Sequence, residues 1–129
     1  MISFYVEGNP IPQGSFKHVG RGIIIAANPK LNQWRDTVAK QAANAYSGEP
    51  ITEPVEILLE FFITRPKTVK RDYPITKPDL DKQCRSILDA ISLERFHQII
   101  KDDSQCINLT ASKRYGDTPG VKITIITKR

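Results

Sequence analysis

The alternation of apolar and polar residues predicts the two longest sheet elements in the first half of the chain. Residues 2–7 place Ile2, Phe4 and Val6 on one face, which is the period of two expected of a half-buried strand. Residues 55–64, with the sequence VEILLEFFIT, combine β-branched and aromatic side chains. Such residues favour a pleated, packed strand, so we expect this segment to be a central strand.

Shorter alternating or apolar runs predict the remaining strands. Residues 23–26 and 99–100 are brief apolar runs, each long enough for a short strand. Residues 107–115 and 121–127 alternate in polarity, and the Gly-Asp-Thr-Pro-Gly sequence at residues 116–120 is a turn signal. The last two segments are therefore expected to form an antiparallel hairpin.

A helical period of apolar residues appears first in residues 28–46. Asn28 is a good N-cap, Pro29 suits the first helical position, and Trp34 lies on the apolar stripe. Arg35 lies off that stripe, so we expect its side chain to be solvated.

A second amphipathic helix follows Pro78, and two aspartates lie at its start. Residues two apart on a helix point about 200° away from each other, so Asp79 and Asp81 cannot converge if both are helical. They can approach if Asp79 is the N-cap, or if the entry is extended. The simpler alternative is that both acids stabilise the helix start, one as N-cap and one in the first turn.

Arg85 and Asp89 continue the charged face of this helix at intervals of four residues after Asp81. One interpretation is a surface ladder of ion pairs, which contributes a few tenths of a kcal/mol per pair. The other assigns Arg85 to a phosphate whose charge develops during a reaction.

Asp102 and Asp103 form a second acidic group, followed by Ser104. If both lay on a strand they would point to opposite faces, so only one could join the earlier pair. Geometry alone does not choose between them, and a turn bound by Ser104 is the alternative. Carboxylates without cysteine or histidine suit magnesium or manganese better than zinc.

Composition supports a single domain spanning residues 1–129 with a polyanionic partner. The chain has a formal charge of +5 and a pI near 9.3, which favours nucleic acid. Its two cysteines form no CxxC motif, and no run approaches the ~20 apolar residues of a membrane span, so we expect free thiols and a cytoplasmic protein. The candidate DNA-contacting cations are Lys17, Arg21, Lys67, Lys70, Arg71, Lys77 and Lys82.

The run KPDLDKQCRSILDAI, followed by IIKDDSQC and two closing strands, resembles the RusA family of Holliday junction resolvases, which is common in phages and prophages. The resemblance covers most of the chain. It implies a mixed α/β (α+β) domain with a sheet of about five strands packed by two main helices. It also implies a homodimer that binds four-way DNA junctions and cuts two strands symmetrically with magnesium.

Carried onto this sequence, the resemblance implies metal ligation by Asp79, Asp81 and Asp103, and a catalytic role at Arg85. Two positions depart from the family. Lys82 stands where an asparagine is usual, and Arg85 stands where a catalytic lysine is usual. Arginine can stabilise a phosphate but cannot lose its proton at working pH, so it does not suit a general base.

These observations lead to one principal expectation, a magnesium-dependent, structure-selective endodeoxyribonuclease (a hydrolase) acting in DNA recombination and repair. Manganese is the second candidate metal. The alternative is a branched-DNA binding protein without catalysis, in which Arg85 and Lys82 mark a lost activity.

Overall fold

The computed structural model describes residues 1–13, 16–18, 24–26 and 30–128 of the chain. This part folds into a four-stranded mixed sheet, a separate pair of short strands, two α-helices and one 3-10 helix. The strands are β1 (Ile2–Glu7), β2 (Phe16–His18), β3 (Ile24–Ala26), β4 (Val55–Ile63), β5 (Cys106–Tyr115) and β6 (Gly120–Thr127). The helices are α1 (Leu31–Ala45), α2 (Leu80–Ser92) and the 3-10 helix η1 (Asp103–Gln105).

The strand order in the larger sheet is β1-β6-β4-β5. Strand β4 pairs in parallel with β5 and antiparallel with β6, so the predicted hairpin of the last two strands is wrong. The short link between them crosses the end of β4, where the backbone N–H of Gly116 donates to the carbonyl of Ile63 at 3.0 Å. Four residues are enough for this crossing, because two strand spacings amount to only about 10 Å.

One face of the sheet carries the core. The burial of β4 alternates strictly from Val55 to Phe61, and the buried side chains meet those of β6 and both α-helices in a single cluster. The hydrophobic period of two in β4 therefore determines which face the helices cover. The largest fully buried side chains include Phe61, Ile57, Leu59, Ile87, Ile91, Ile123 and Ile125.

The predicted mixed α/β (α+β) fold is confirmed, with four strands in the main sheet where about five were expected. Helix α1 begins at Leu31 with Lys30 as its N-cap, while the predicted cap residues Asn28 and Pro29 lie outside the described residues. The apolar residues 99–100 form no strand of their own, but Ile100 makes an isolated parallel bridge with Ile51. The described residues contain no helix long and apolar enough to cross a membrane.

Candidate functional site

The first acidic pair lies at the entry of α2, where the chain changes from extended to helical. Asp79 is the N-cap residue with φ −69° and ψ 137°, and Asp81 lies in the first turn. Both side chains are exposed. The expectation that one aspartate lies outside the helix is therefore confirmed. The backbone changes from extended at Asp79 to helical at Asp81.

The carboxylate of Asp79 is not used to cap the helix, since it accepts no capping hydrogen bond. Its oxygen lies 3.6 Å from the Nζ of Lys82, and these side chains keep 47% and 44% of their exposure. An ion pair this exposed contributes little to stability. The simpler alternative for Asp79, a helix-capping acid, is therefore not what the structure shows.

The two residues of the second acidic pair differ in their roles in the turn at η1. Asp102 is the N-cap of η1, and its carboxylate accepts a hydrogen bond of 2.8 Å from the backbone N–H of Ser104. Gln105 completes a capping box by accepting from the backbone N–H of Asp102. The hydrogen bond from Ser104 lowers the pKa of Asp102. Asp102 thus has a structural role, whereas Asp103 is exposed in the first turn.

Asp103 faces the middle of α2, where it acts electrostatically on Asp89. The pKa of Asp89 is raised, first because the carboxyl is partly buried; the charge of Arg35 lowers it, Asp103 raises it and Arg85 lowers it. Asp103 and Arg85 are therefore neighbours of the same carboxyl. A surface cleft of about 230 Å³ opens beside Asp103, lined by Ser92, Leu93, Glu94, Gln98, Lys101, Asp102 and Asp103.

The structure brings the predicted ligands to α2 but does not gather them around one point. Within the described ranges, no three His, Cys, Asp or Glu side chains lie close enough together to hold a metal ion. Asp79 and Asp81 lie at the start of the helix, and Asp103 approaches near Asp89. The donor chemistry, exposed carboxylates without cysteine or histidine, nevertheless fits a hard divalent cation.

The predicted ladder along α2 is replaced by a different pair. Arg85 is exposed and forms no ion pair with any residue that the structure describes. Asp89 instead pairs with Arg35 of α1 at 2.7 Å, and the two side chains are only 20% and 12% exposed. The expectation that Arg35 is solvated is therefore wrong. Arg35 lies off the apolar stripe of α1, but the neighbouring helix covers it.

Arg35 also reaches the Pro-rich segment that follows β1. Its Nη2 donates to the Oε1 of Gln13 at 2.5 Å, and the backbone N–H of Gln13 donates to the carbonyl of Lys82 at 2.9 Å. The hydroxyl of Ser86 donates to the carbonyl of Ile11 at 2.7 Å. Three hydrogen bonds thus tie residues 11–13 to α2 and α1. The chain enters the basic segment containing β2 and β3 from this fixed point.

Lys113 is a site neighbour that the sequence analysis missed. Its Nζ donates to the carbonyls of Thr76 and Pro78, at 2.7 and 3.0 Å. It thereby fixes the chain immediately before Asp79 against β5. Lysine on a strand has no distinctive sequence signal, and its partners are backbone atoms, so nothing in the residue pattern points to this contact.

The predicted DNA-contacting cations are spread over the approach to α2. Lys67, Lys70, Arg71 and Lys77 are all exposed in the segment that links β4 to α2, while Lys82 is half-buried within the helix. Lys17 lies on β2 with only its backbone described, and Arg21 lies outside the described residues.

Comparison with known proteins decides the family. The model of the endodeoxyribonuclease RusA family matches residues 7–126, which is nearly the whole chain. The chain belongs to the RusA family. The resemblance stated from the DLD and DD motifs is thus confirmed, and it carries the nuclease class with it: RusA proteins are endonucleases that resolve Holliday junctions.

A second comparison covers nearly the whole chain. The uncharacterized protein YqaN of Bacillus subtilis (strain 168) is 30% identical over 138 aligned positions, covering 96% of this chain and 94% of its own. Asp79, Asp81 and Asp103 all fall inside the span matched by the RusA model. Their roles, and that of Arg85, remain predictions that experiment has to test.

Proposed function

We propose that this RusA-family chain is a magnesium-dependent, structure-selective endodeoxyribonuclease that resolves four-way DNA junctions by paired phosphodiester hydrolysis. The family supports the nuclease class. The observation that carries the finer proposal is the pair of exposed carboxylates at the start of α2, of which Asp79 is not engaged in capping the helix. Acids left unused by the fold, in a basic chain, are the combination that a metal-dependent nuclease requires.

Asp79, Asp81 and Asp103 are the residues that would hold the metal. When bound there, Mg²⁺ would polarise a phosphate oxygen and lower the pKa of a coordinated water molecule. Three carboxylates close together repel one another, by on the order of 4 kcal/mol per close pair at an effective dielectric near 20. A divalent cation would offset this repulsion by placing positive charge between the carboxylates.

Arg85 contributes fixed positive charge rather than proton transfer. An arginine guanidinium is a permanent cation and can donate two parallel hydrogen bonds to a phosphate. No ion pair within the described part of the chain holds it, so it can turn toward the scissile phosphate. In this role it offsets the charge that develops as the phosphate is attacked.

The cations before α2 would contact the DNA backbone. Lys67, Lys70, Arg71 and Lys77 are exposed residues of the one segment that precedes the acids, so they can follow a strand toward the site. Each phosphate neutralised adds about 0.9 to the slope of log affinity against log salt. Measuring that slope for the wild type counts the contacts.

A homodimer suits the proposed reaction, because two sites related by a two-fold axis can cut opposing strands of a junction. Light scattering coupled to size-exclusion chromatography tests this directly. A reaction on chromosomal or phage DNA would take place in the cytoplasm.

The decisive experiment compares Asp81→Asn with Asp36→Asn. Asp36 is also an exposed helical aspartate, but it belongs to α1 and is not one of the predicted metal ligands. With a labelled four-way junction, we expect magnesium-dependent cutting by the wild type and by Asp36→Asn, and at least a 100-fold slower reaction with Asp81→Asn. Junction binding by Asp81→Asn should be unchanged or tighter, since the substitution removes a negative charge. Full cleavage by Asp81→Asn would falsify the metal-site proposal.

A non-catalytic junction-binding protein is the second candidate function. It is favoured by Arg85 in place of the family lysine and by the absence of a gathered three-acid cluster among the described residues. The same assay separates the two functions. A shifted junction band without product, at every magnesium and manganese concentration, would establish the binding protein and exclude the nuclease.

A further inference from the structure

Two large apolar side chains, two residues apart in the chain, are exposed in the segment that leads to the acidic helix. Tyr73 and Ile75 keep 70% and 77% of their accessible surface. Pro74, between them, is buried. The buried proline anchors the backbone, while the side chains on either side of it are exposed to solvent. The two exposed side chains therefore lie on an anchored segment.

This pair is surrounded by positive charge. Residues 65–77 contain the cations Arg65, Lys67, Lys70, Arg71 and Lys77 and a single acid, Asp72. Each of these cations is exposed. Apolar groups among exposed cations suit nucleic acid better than an apolar partner. Cations attract phosphates, an aromatic ring stacks on bases, and an aliphatic side chain can insert between base steps.

The position of the pair is set relative to the site. Lys113 holds the carbonyls of Thr76 and Pro78, on either side of Lys77, against β5. Ile75 lies four residues before Asp79, a chain length of at most about 14 Å. Since successive phosphates of one strand are about 3.4 Å apart along the helix axis, Ile75 lies within about four base steps of a phosphate at Asp79, and Tyr73, six residues before Asp79, lies within about six.

We infer that Tyr73 and Ile75 form a wedge that packs against an exposed base-pair face at the branch point of the DNA. In a continuous duplex every base pair is covered on both faces by its neighbours, so the wedge can contact a base-pair face only if two neighbouring base pairs unstack. At a branch point stacking is interrupted, so the same contact costs less to form. The wedge therefore determines selectivity for branched DNA, whereas the surrounding cations supply affinity for any DNA.

This inference rests on the proposed function, and its test measures selectivity rather than cleavage. All proteins carry Asp81→Asn to prevent cutting. The dissociation constant is measured for a four-way junction and for a duplex of the same arm sequence at one salt concentration. The variants are Tyr73→Ala, Tyr73→Phe and Ile75→Ala. Ile107→Ala is the matched control, because Ile107 is 62% exposed but lies on β5, outside residues 65–77.

We expect Tyr73→Ala to weaken junction binding about tenfold and to leave duplex binding within about twofold. Tyr73→Phe keeps the ring and should bind as the wild type does, and Ile75→Ala should lose less than Tyr73→Ala. Ile107→Ala should change neither constant. A double substitution of Lys70 and Arg71 by alanine should weaken both DNAs equally and reduce the salt slope by about two.

A direct reporter of the contact is 2-aminopurine placed beside the branch point. Its fluorescence should change when the wild-type chain binds, and that change should be lost with Tyr73→Ala and kept with Tyr73→Phe.

Two results overturn the wedge while leaving the proposed function intact: equal losses on junction and duplex, or no loss at all with Tyr73→Ala. A fall in oligomer mass caused by Tyr73→Ala also overturns it, because the pair would then be a contact between protein chains. If the chain carrying only Asp81→Asn shows no preference for the junction over the duplex, the proposed function and the wedge fail together.

Discussion

The ion pair between Arg35 and Asp89 allows a quantitative test of how α1 and α2 are held together. Its atoms lie 2.7 Å apart, and the side chains are 12% and 20% exposed. Burial is the largest cause of the pKa shift on each side: it lowers the pKa of Arg35 and raises that of Asp89, against the attraction of the partner. The attraction therefore does not fully offset the loss of hydration.

This balance predicts a large difference between single and double substitutions. Removing one partner of a buried pair leaves an uncompensated charge, which costs about 3 to 5 kcal/mol. Because both side chains keep some exposure, we expect about 2 to 4 kcal/mol of lost stability for Arg35→Met and for Asp89→Leu. The double variant replaces both charges by apolar groups, so it should lie within about 1 kcal/mol of the wild type or exceed it.

Urea unfolding followed by tryptophan fluorescence measures these free energies. Trp34 is the one tryptophan of the chain and is 5% exposed next to Arg35, so it reports on this interface. The control is Lys128→Met, which removes an exposed partner of Glu56 at 3.8 Å and should cost less than about 0.5 kcal/mol. Additive losses in the double variant would refute the reasoning, since they mean no coupling between the two charges.

The stability that Asp89 contributes should decrease as pH rises, which is the opposite of the behaviour of most acids in folded proteins. The folded-state pKa of Asp89 is raised, so the folded chain holds this proton more tightly than the unfolded chain does. Its contribution to stability is therefore greatest at low pH and declines as pH rises from the unfolded pKa through the folded one. Asp89→Leu should remove that decline. Arg35→Met should extend it to higher pH, because it removes the charge that favours the carboxylate.

Three further predictions concern other parts of the molecule. Burial raises the pKa of Cys84 to about 11, so iodoacetamide should not modify this thiol in the native protein at pH 8. The stability of the fold should decrease as pH rises above about 9, because only the unfolded thiol ionises there. Fast labelling of the native thiol would contradict this. Gly120→Ala places a Cβ in steric conflict with the carbonyl oxygen of Val6, so we expect a loss of about 2 kcal/mol or more in urea unfolding. An unchanged midpoint would show that β1 can move aside. Lys113→Met frees the carbonyls of Thr76 and Pro78, so junction cleavage should slow about tenfold with little change in junction affinity, whereas an unaltered cleavage rate would show that Asp79 is positioned without Lys113.

Local sequence signals predicted the elements well. Alternation located β1, β5 and β6, and the β-branched and aromatic residues of 55–64 located β4, each to within a residue. The pairing of β5 with β6 was predicted wrongly, since a glycine- and proline-rich link specifies a turn but not which strand lies across it. The apolar strand β4 intervenes, and that choice depends on packing over the whole sheet.

For the candidate site, the backbone change between Asp79 and Asp81 could be argued from the period of a helix, and the structure bears it out. The different roles of Asp102 and Asp103 at η1 could not be predicted, because they depend on which backbone N–H lies within hydrogen-bonding distance of Asp102. The contacts of Arg35 and Lys113 were equally inaccessible to sequence reasoning. Each joins residues far apart in the chain, so no local spacing reveals them.

The sheet order has a consequence for how the chain reaches its native state during synthesis. Strand β6 lies between β1 and β4, yet it is the last strand of the sheet to leave the ribosome. Until residues 120–127 emerge, β1 lacks its partner β6, and the edge of β4 that pairs with β6 is exposed. A chain with such long-range pairing folds slowly and late. A messenger truncated before Gly120 would therefore yield an aggregation-prone fragment rather than a smaller working protein.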